Sequence, residues 1–316
     1  MEPGTSETIV ARENPIGSSK PLPCYFDHDG GYDDFVALVY ILRHQARFNI
    51  LGVTVTPANS WREVGVQVTR KILRILHRYN EVSSVSSSNK SGRQQVPVAE
   101  STLYGKNPFP DAWRLSCCAI NLLPQLNRFE TTEEALRLQE GPGVSGEALL
   151  AKTLLSAEAP VTLIATGPLT NVAWVLDNFP EASSKIDKVL IMGGAIDVQG
   201  NVSVKGFDGS AEWNFFWDPA AAKRVWESDL ELVLTPLDAT DSVPITKDMI
   251  LRPWREKGKD ADTAGRNRRP KTTLLGCSEV PWRPTVVRVI YLPAYVISAR
   301  APLEIVRLCY LAVGAL

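Results

Sequence analysis

Apolar and polar positions along this chain predict strands and helices in turn. Leu22–Phe26 is a short apolar run with the length and composition of a buried strand. It leads directly into an acidic cluster. Asp33 and Asp34 then open a stretch with helical periodicity, Phe35–Leu42. Carboxylates in a first turn suit the positive end of a helix. Ile50–Val55 predicts a second buried strand and Trp61–Arg78 a second helix, and the polar, low-complexity stretch Val82–Gln94 reads as a surface loop. Further on, Val161–Ala165 predicts a strand, Leu169–Asn178 a helix, Val189–Met192 a strand ending at Gly193-Gly194, and Glu231–Leu234 another strand. The alternation implies an α/β fold, with an open, largely parallel central sheet flanked by helices.

In open α/β sheets the ligand lies at the carboxyl ends of the strands. The acidic cluster, Asn59, Thr166 and Met192 all fall at such ends. That shared placement is the main reason to treat them as one site.

The alternation fails from about Leu251. Arg252–Lys271 is basic and polar, and Ser278–Leu316 is apolar but interrupted by Pro281, Pro284, Pro293 and Pro302. Residues 251–316 carry 12 Lys/Arg against 5 Asp/Glu, although the whole chain has a net charge of only −1. The expected organisation is a polar, disordered segment over residues 1–20, one α/β domain over 21–250 and an atypical tail over 251–316. An altered reading frame, a retained intron or a truncated gene model would leave a break of this kind.

At 316 residues, with 44% hydrophobic and 22% charged content, the chain suits one globular domain with a sizeable core. The acidic body argues against a nucleic-acid partner, which calls for a basic face. The five cysteines, Cys24, Cys117, Cys118, Cys277 and Cys309, are odd in number and lack C-x-x-C spacing. They read as reduced thiols of a cytosolic protein. The first twenty residues lack the apolar core of a signal peptide. The tail's apolar run Val289–Ala299 is shorter than the roughly 20 residues of a membrane span. A cytoplasmic protein with no membrane partner is expected.

Asp27, Asp29, Asp33 and Asp34 fall within eight residues, with Gly30 and Gly31 between them. Grouped hard oxygen ligands suit Ca²⁺ or Mg²⁺. Without a cation, such carboxylates repel one another and their pKa values rise. The spacing is not that of an EF-hand loop. The plainer reading is a solvated acidic turn that caps a helix, although an apolar strand feeding straight into it is unusual for a mere turn.

The pattern D-x-D-x-G-x-D-D after a first strand resembles the opening signature of the nucleoside hydrolases. The resemblance covers residues 21–246. Thr54–Asn59, Ala165–Asn171, Ile191–Ala195, Ala211–Pro219 and Pro236–Thr240 continue it in order. DHDG followed by DDFVAL, Asn107–Arg114 (NPFPDAWR), and AEWN followed by WDP are similar to the purine-preferring inosine-adenosine-guanosine hydrolases of trypanosomatids. A haloacid-dehalogenase-type phosphatase also opens with D-x-D after a strand, but Gly31 followed by Tyr32-Asp33-Asp34 fits it poorly.

The resemblance implies an N-glycosyl hydrolase that splits purine ribonucleosides into base and ribose. Asp29, Asp34 and the main-chain carbonyl of Thr166 would ligate Ca²⁺. The cation would hold the attacking water, with Asp29 as general base, and the transition state would have oxocarbenium character. Asp33, Asn59, Met192, Asn201, Glu212 and Asn214 would surround the ribose, and Trp113 would stack on the base. A homo-oligomer is also implied.

Taken singly, several of these residues have plainer readings. Asn59 can be a turn residue and Thr166 a helix entry. Trp213 and Trp217 read as core or rim packing, His28 as a local packing or hydrogen-bonding residue, and Asp238 as structural. The family's final acidic ligand, in a late Trp-Asp or His-Asp pair, has no match in residues 247–316. A catalytically inactive, ribonucleoside-binding relative is therefore the alternative.

Overall fold

The computed structural model of the chain describes residues 20–83, 96–127 and 143–242. The expected disordered N-terminus, most of the expected loop at 82–94 and the atypical tail lie outside the described residues.

Strand β1 (Leu22–His28) runs two residues further than its apolar core, taking Asp27 and His28 into the sheet. Helix α1 (Tyr32–Arg43) follows, then β2 (Phe48–Val55) and α2 (Arg62–Ser83). Helix α2 therefore absorbs Val82 and Ser83, which read as loop in sequence. Composition at the last turn of a helix is a weak guide to where it ends.

Three elements with weak sequence signals come next: β3 (Val98–Glu100), α3 (Asp111–Asn121) and the single turn α4 (Pro124–Asn127). After them come α5 (Gly146–Ser156), β4 (Val161–Ala165) and α6 (Thr170–Asn178). A 3-10 turn over Pro180–Lys185 leads into β5 (Ile186–Met192). The short helix α7 (Trp213–Trp217), α8 (Pro219–Trp226), β6 (Leu232–Thr235) and α9 (Leu237–Thr240) complete the described chain.

The strands form one six-stranded sheet in the order β3-β2-β1-β4-β5-β6, and every pairing is parallel. Alternation along β1 divides the core. Cys24 and Phe26 face a layer that includes Phe35, Leu38, Val68, Ile72 and Cys117 from α1, α2 and α3. Tyr25 faces the opposite layer, with Leu150, Leu154, Val172, Leu176 and Val225 from α5, α6 and α8. Tyr25, Phe26, Phe35, Leu38 and Leu154 are fully buried. Each such side chain contributes about 1.5–3 kcal/mol over its exposed state.

Chain order reverses between β1 and β4, which are neighbours in the sheet. This is the topological switch point, where a crevice opens beyond the carboxyl ends of the strands. Asp27 pairs in register with Ala165, so the acidic turn after β1 and Thr166 after β4 meet at that crevice. Among the described residues no helix is long and apolar enough to cross a membrane.

Candidate active site

The acidic turn is built by its own backbone. Asp34, third in α1, reaches back so that its Oδ2 accepts from the Gly31 N–H at 2.8 Å and the Asp29 N–H at 3.3 Å. This is the return half of a capping box. Gly30 has φ +83°, and a Cβ there would overlap the Ser60 hydroxyl. The turn thus needs glycine for both conformation and space. The Ser60 hydroxyl donates to the Asp29 carbonyl at 2.9 Å. The Asn59 N–H donates to Asp29 Oδ2 at 3.1 Å.

His28 holds the turn from below. Its Nε2 lies 3.1 Å from the Thr69 hydroxyl, and that hydroxyl donates to the Gly65 carbonyl at 2.8 Å. The hydroxyl's proton is thereby used, so Nε2 is the donor to it. Nδ1 is then left to accept the Gly30 N–H at 3.1 Å. The ring stacks on Phe26 and meets Phe35 edge-on. This agrees with the local role read for His28.

The four aspartates do not form one group. Asp27 Oδ1 accepts from the Asn171 amide at 2.9 Å, and the same amide donates to Thr56 Oγ1 at 2.8 Å. Burial raises the Asp27 carboxyl to about 8, against the opposing hydrogen bond from Asn171. Asp29 is also raised, first by burial and then by the charges of Asp34 and Asp33. Asp33 is raised as well, although its side chain reaches solvent: the crevice limits its hydration, and Asp34 and more weakly Glu212 add to the rise. Burial pushes Asp34 upward too, but the hydrogen bonds its carboxylate accepts hold it below its ordinary value. With Asp27, Asp29 and Asp34 buried and Asp33 at the exposed edge, the turn holds carboxyl groups in mutual conflict, the situation a divalent cation relieves.

The residues expected to surround the ribose converge from β4, β5 and α7. Glu212 caps α7, accepting from the Asn214 N–H at 2.9 Å and the Phe215 N–H at 3.2 Å, and it also accepts from the Gly194 N–H at 3.0 Å. The Asn214 amide donates to the Thr166 carbonyl at 3.0 Å and the Met192 carbonyl at 3.1 Å. Asn201 is exposed at the rim, with its Oδ1 taken by the Trp213 N–H at 3.1 Å. Gly167 lies so close to Asp29 that a side chain there would meet Asp29 Cβ. Asn59 Oδ1 and the Thr166 hydroxyl are buried with no hydrogen-bond partner.

Trp113 stands 42% exposed at the start of α3. Its ring meets Phe109 at 5.6 Å and Trp213 at 5.2 Å. Trp213 and Trp217 are buried, as their packing role requires. Asp238 is structural, accepting the Ile196 and Asp197 N–H groups at 2.9 and 2.8 Å.

Sequence reasoning gave no role to Asn171, Ser60 or Thr69. Asn171 and Ser60 lie in or beside recognised blocks, but only the fold shows what they hold. Among the described residues no group of three or more His, Cys, Asp or Glu side chains is arranged to hold a metal ion. Cys24, Cys117 and Cys118 are free thiols.

The model of the inosine-uridine preferring nucleoside hydrolases matches residues 24–282, running past residue 246, where the recognisable blocks stop. A pyrimidine-specific ribonucleoside hydrolase, RihA of Escherichia coli O127:H6, is 31% identical over 224 residues, which are 71% of this chain and 63% of that protein. The chain thus spans less than two thirds of the length of such curated relatives. Among solved structures, an inosine-uridine preferring nucleoside hydrolase from Bacillus anthracis is 35% identical with a TM-score of 0.65, covering 75% of this chain and 72% of that one. A purine-preferring ribonucleoside hydrolase from Gardnerella vaginalis is 23% identical with a TM-score of 0.52, covering 74% and 66%, and at that identity speaks for the fold alone. With the acidic turn and the Glu212–Asn214 segment facing each other across the switch point of a fully parallel sheet, the chain belongs to the inosine-uridine preferring nucleoside hydrolase family.

Proposed function

We propose that the chain hydrolyses the N-glycosidic bond of purine ribonucleosides, giving free base and ribose. The observation that carries this reading is the bridge from Asn214 to both the Thr166 and Met192 carbonyls. It brings the sugar-side segment against the acidic turn, so that one small polar ligand can touch both.

Ca²⁺ fits the residues present. The donors on offer are hard oxygens, the Asp29 and Asp34 carboxylates and the Thr166 carbonyl, in a buried cluster whose charges conflict. When bound, the cation would orient a water and make it more acidic.

Asp29 would take one proton of the attacking water as the water's oxygen bonds to the anomeric carbon. The C–N bond would break, its electron pair passing to the base nitrogen, which takes a proton from solvent while Asp29 returns its own to solvent, so that water is the net source of both the ribose hydroxyl and the base proton. Asp33 and Asn59 lie beside the turn to hold vicinal hydroxyls, and the unpartnered Asn59 Oδ1 is a ready acceptor. Glu212 and Asn214 hold the other side of the sugar. Buried partners of this kind disfavour a sugar lacking those hydroxyls.

The purine preference is supported by Trp113, whose half-exposed ring is backed by Phe109 and Trp213 and offers a wide base a stacking face. A second reading, a ribonucleoside-binding relative without turnover, is favoured by the lack of a third ligating side chain among the described residues. Release of hypoxanthine from inosine and of uracil from uridine, each with Ca²⁺ and then with a chelator, tests both. Chelator-sensitive turnover with inosine preferred supports the proposal. Inosine binding without turnover supports the second reading.

A further inference from the structure

Trp113 stands on α3 and Asp29 in the turn after β1, yet one peptide group joins their supports. The Arg114 Nε–H donates to the Ala58 carbonyl at 2.8 Å. The Asn59 N–H donates to Asp29 Oδ2 at 3.1 Å. That carbonyl and that N–H are the two ends of the single peptide between Ala58 and Asn59. The unit is planar and stiff, so fixing one end fixes the other.

We propose that Arg114 is a positioning residue that locks the base-side helix α3 to Asp29 through the Ala58–Asn59 peptide. The proposal rests on the nucleoside hydrolase reading above. A guanidinium at one end of the peptide and a carboxylate at the other polarise it in the same sense, which strengthens both hydrogen bonds. Ala58 is fully buried, so its carbonyl has no easy substitute for Arg114. The guanidinium's other contact, Arg114 NH1 to Asp111 Oδ1 at 3.2 Å, involves a side chain that is 81% exposed. Such a contact adds little.

The far side of the same segment is also pinned. Asn107 donates from its side chain to the Phe216 carbonyl at 2.6 Å and from its N–H to the Trp217 carbonyl at 3.1 Å. Trp113, next to Arg114, therefore stands at a set distance from both the acidic turn and the α7 segment. That distance decides how well a base can stack while its sugar sits at Asp29. Arg114 thus acts on the base preference without touching the nucleoside.

The test compares the wild-type chain with Arg114→Met and Arg114→Lys. Arg114→Met keeps the apolar stem and removes the donor. Arg114→Lys keeps a donor but loses the fixed fork geometry. Hydrogen exchange is followed in peptides covering residues 56–61, 107–115 and 161–178. Arg114→Met is expected to speed exchange about tenfold in the first two segments together and leave the third unchanged, with Arg114→Lys in between. It is also expected to raise KM for inosine more than KM for uridine, with kcat changing less. Faster exchange in residues 107–115 alone, a rise spread over all three segments, or an Arg114→Met profile like wild type would each overturn the coupling. Absence of nucleoside turnover in the wild-type chain would count against the functional reading, while the exchange pattern would still decide the coupling.

Discussion

The Asn214 side-chain amide donates to the Thr166 main-chain carbonyl at 3.0 Å. A carbonyl oxygen has two lone pairs, so this bond leaves one for a cation and fixes where it points. Asn214→Leu keeps the size and removes the donors. Supports one step back from a metal typically matter by about 10–100-fold in affinity or activity, and a loss in that range is expected in both Ca²⁺ binding and inosine turnover. Calorimetric titration with Ca²⁺ checks it. Unchanged affinity would mean that the Thr166 carbonyl is not a ligand or needs no orienting.

Adding Ca²⁺ should stabilise the folded chain, since the carboxyl groups of the turn are brought together only on folding. A ligand present at a hundredfold excess over its Kd contributes about 2.7 kcal/mol. Thermal unfolding with Ca²⁺ and with a chelator measures this. A midpoint that ignores Ca²⁺ would remove the cation from the proposal.

Strands β1, β2, β4 and β5 were legible because each is a compact apolar run between polar turns, and their carboxyl ends located the site. Strand β3 has only three residues, too few for any periodicity. Helix α3 begins in a proline-rich stretch whose signal was read as a base-stacking motif instead. Asp27 shows a different limit. In sequence it is one of four clustered acids, but the two-residue period of β1 turns it toward Asn171, 144 positions away. Spacing places residues near one another, and only the pleat decides which side of the sheet they serve. The Arg114–Ala58 bond is equally invisible, since nothing in the local sequence marks a main-chain carbonyl 56 residues away.

Gly30 and Gly143 form a matched pair for testing the turn. Both have positive φ, +83° and +70°, but a Cβ at Gly30 would strike Ser60 whereas one at Gly143 meets nothing within 4 Å. Gly143→Ala should cost about 1 kcal/mol, the conformational term alone. Gly30→Ala adds the overlap and should lie in the destabilising tail of about 3 kcal/mol or more, with loss of Ca²⁺ response. Urea midpoints for the two variants check this. Equal costs would show that Ser60 gives way freely.

Glu147 gives a pH dependence away from the cation site. It is buried in the first turn of α5, where its Oε2 accepts the Thr102 N–H at 3.0 Å and its Oε1 accepts the Thr102 hydroxyl. Burial opposes its charge, but the bonds from Thr102 and Ser145 outweigh that and hold its pKa below the ordinary 4.5. As pH falls, the unfolded chain therefore takes up this proton before the folded one does. The stability Glu147 contributes is complete above the unfolded value and is lost as pH falls through the folded one. Glu147→Gln removes the titration and the charge, leaving one amide oxygen to accept from the Thr102 N–H where the carboxylate accepted from both Thr102 donors. The stability gap between wild type and variant should be widest near pH 7 and narrow steadily below about pH 4.5. Urea unfolding of both proteins across that range reads the gap, and a gap that stayed constant would show that the Thr102 clamp does not depend on the carboxylate charge.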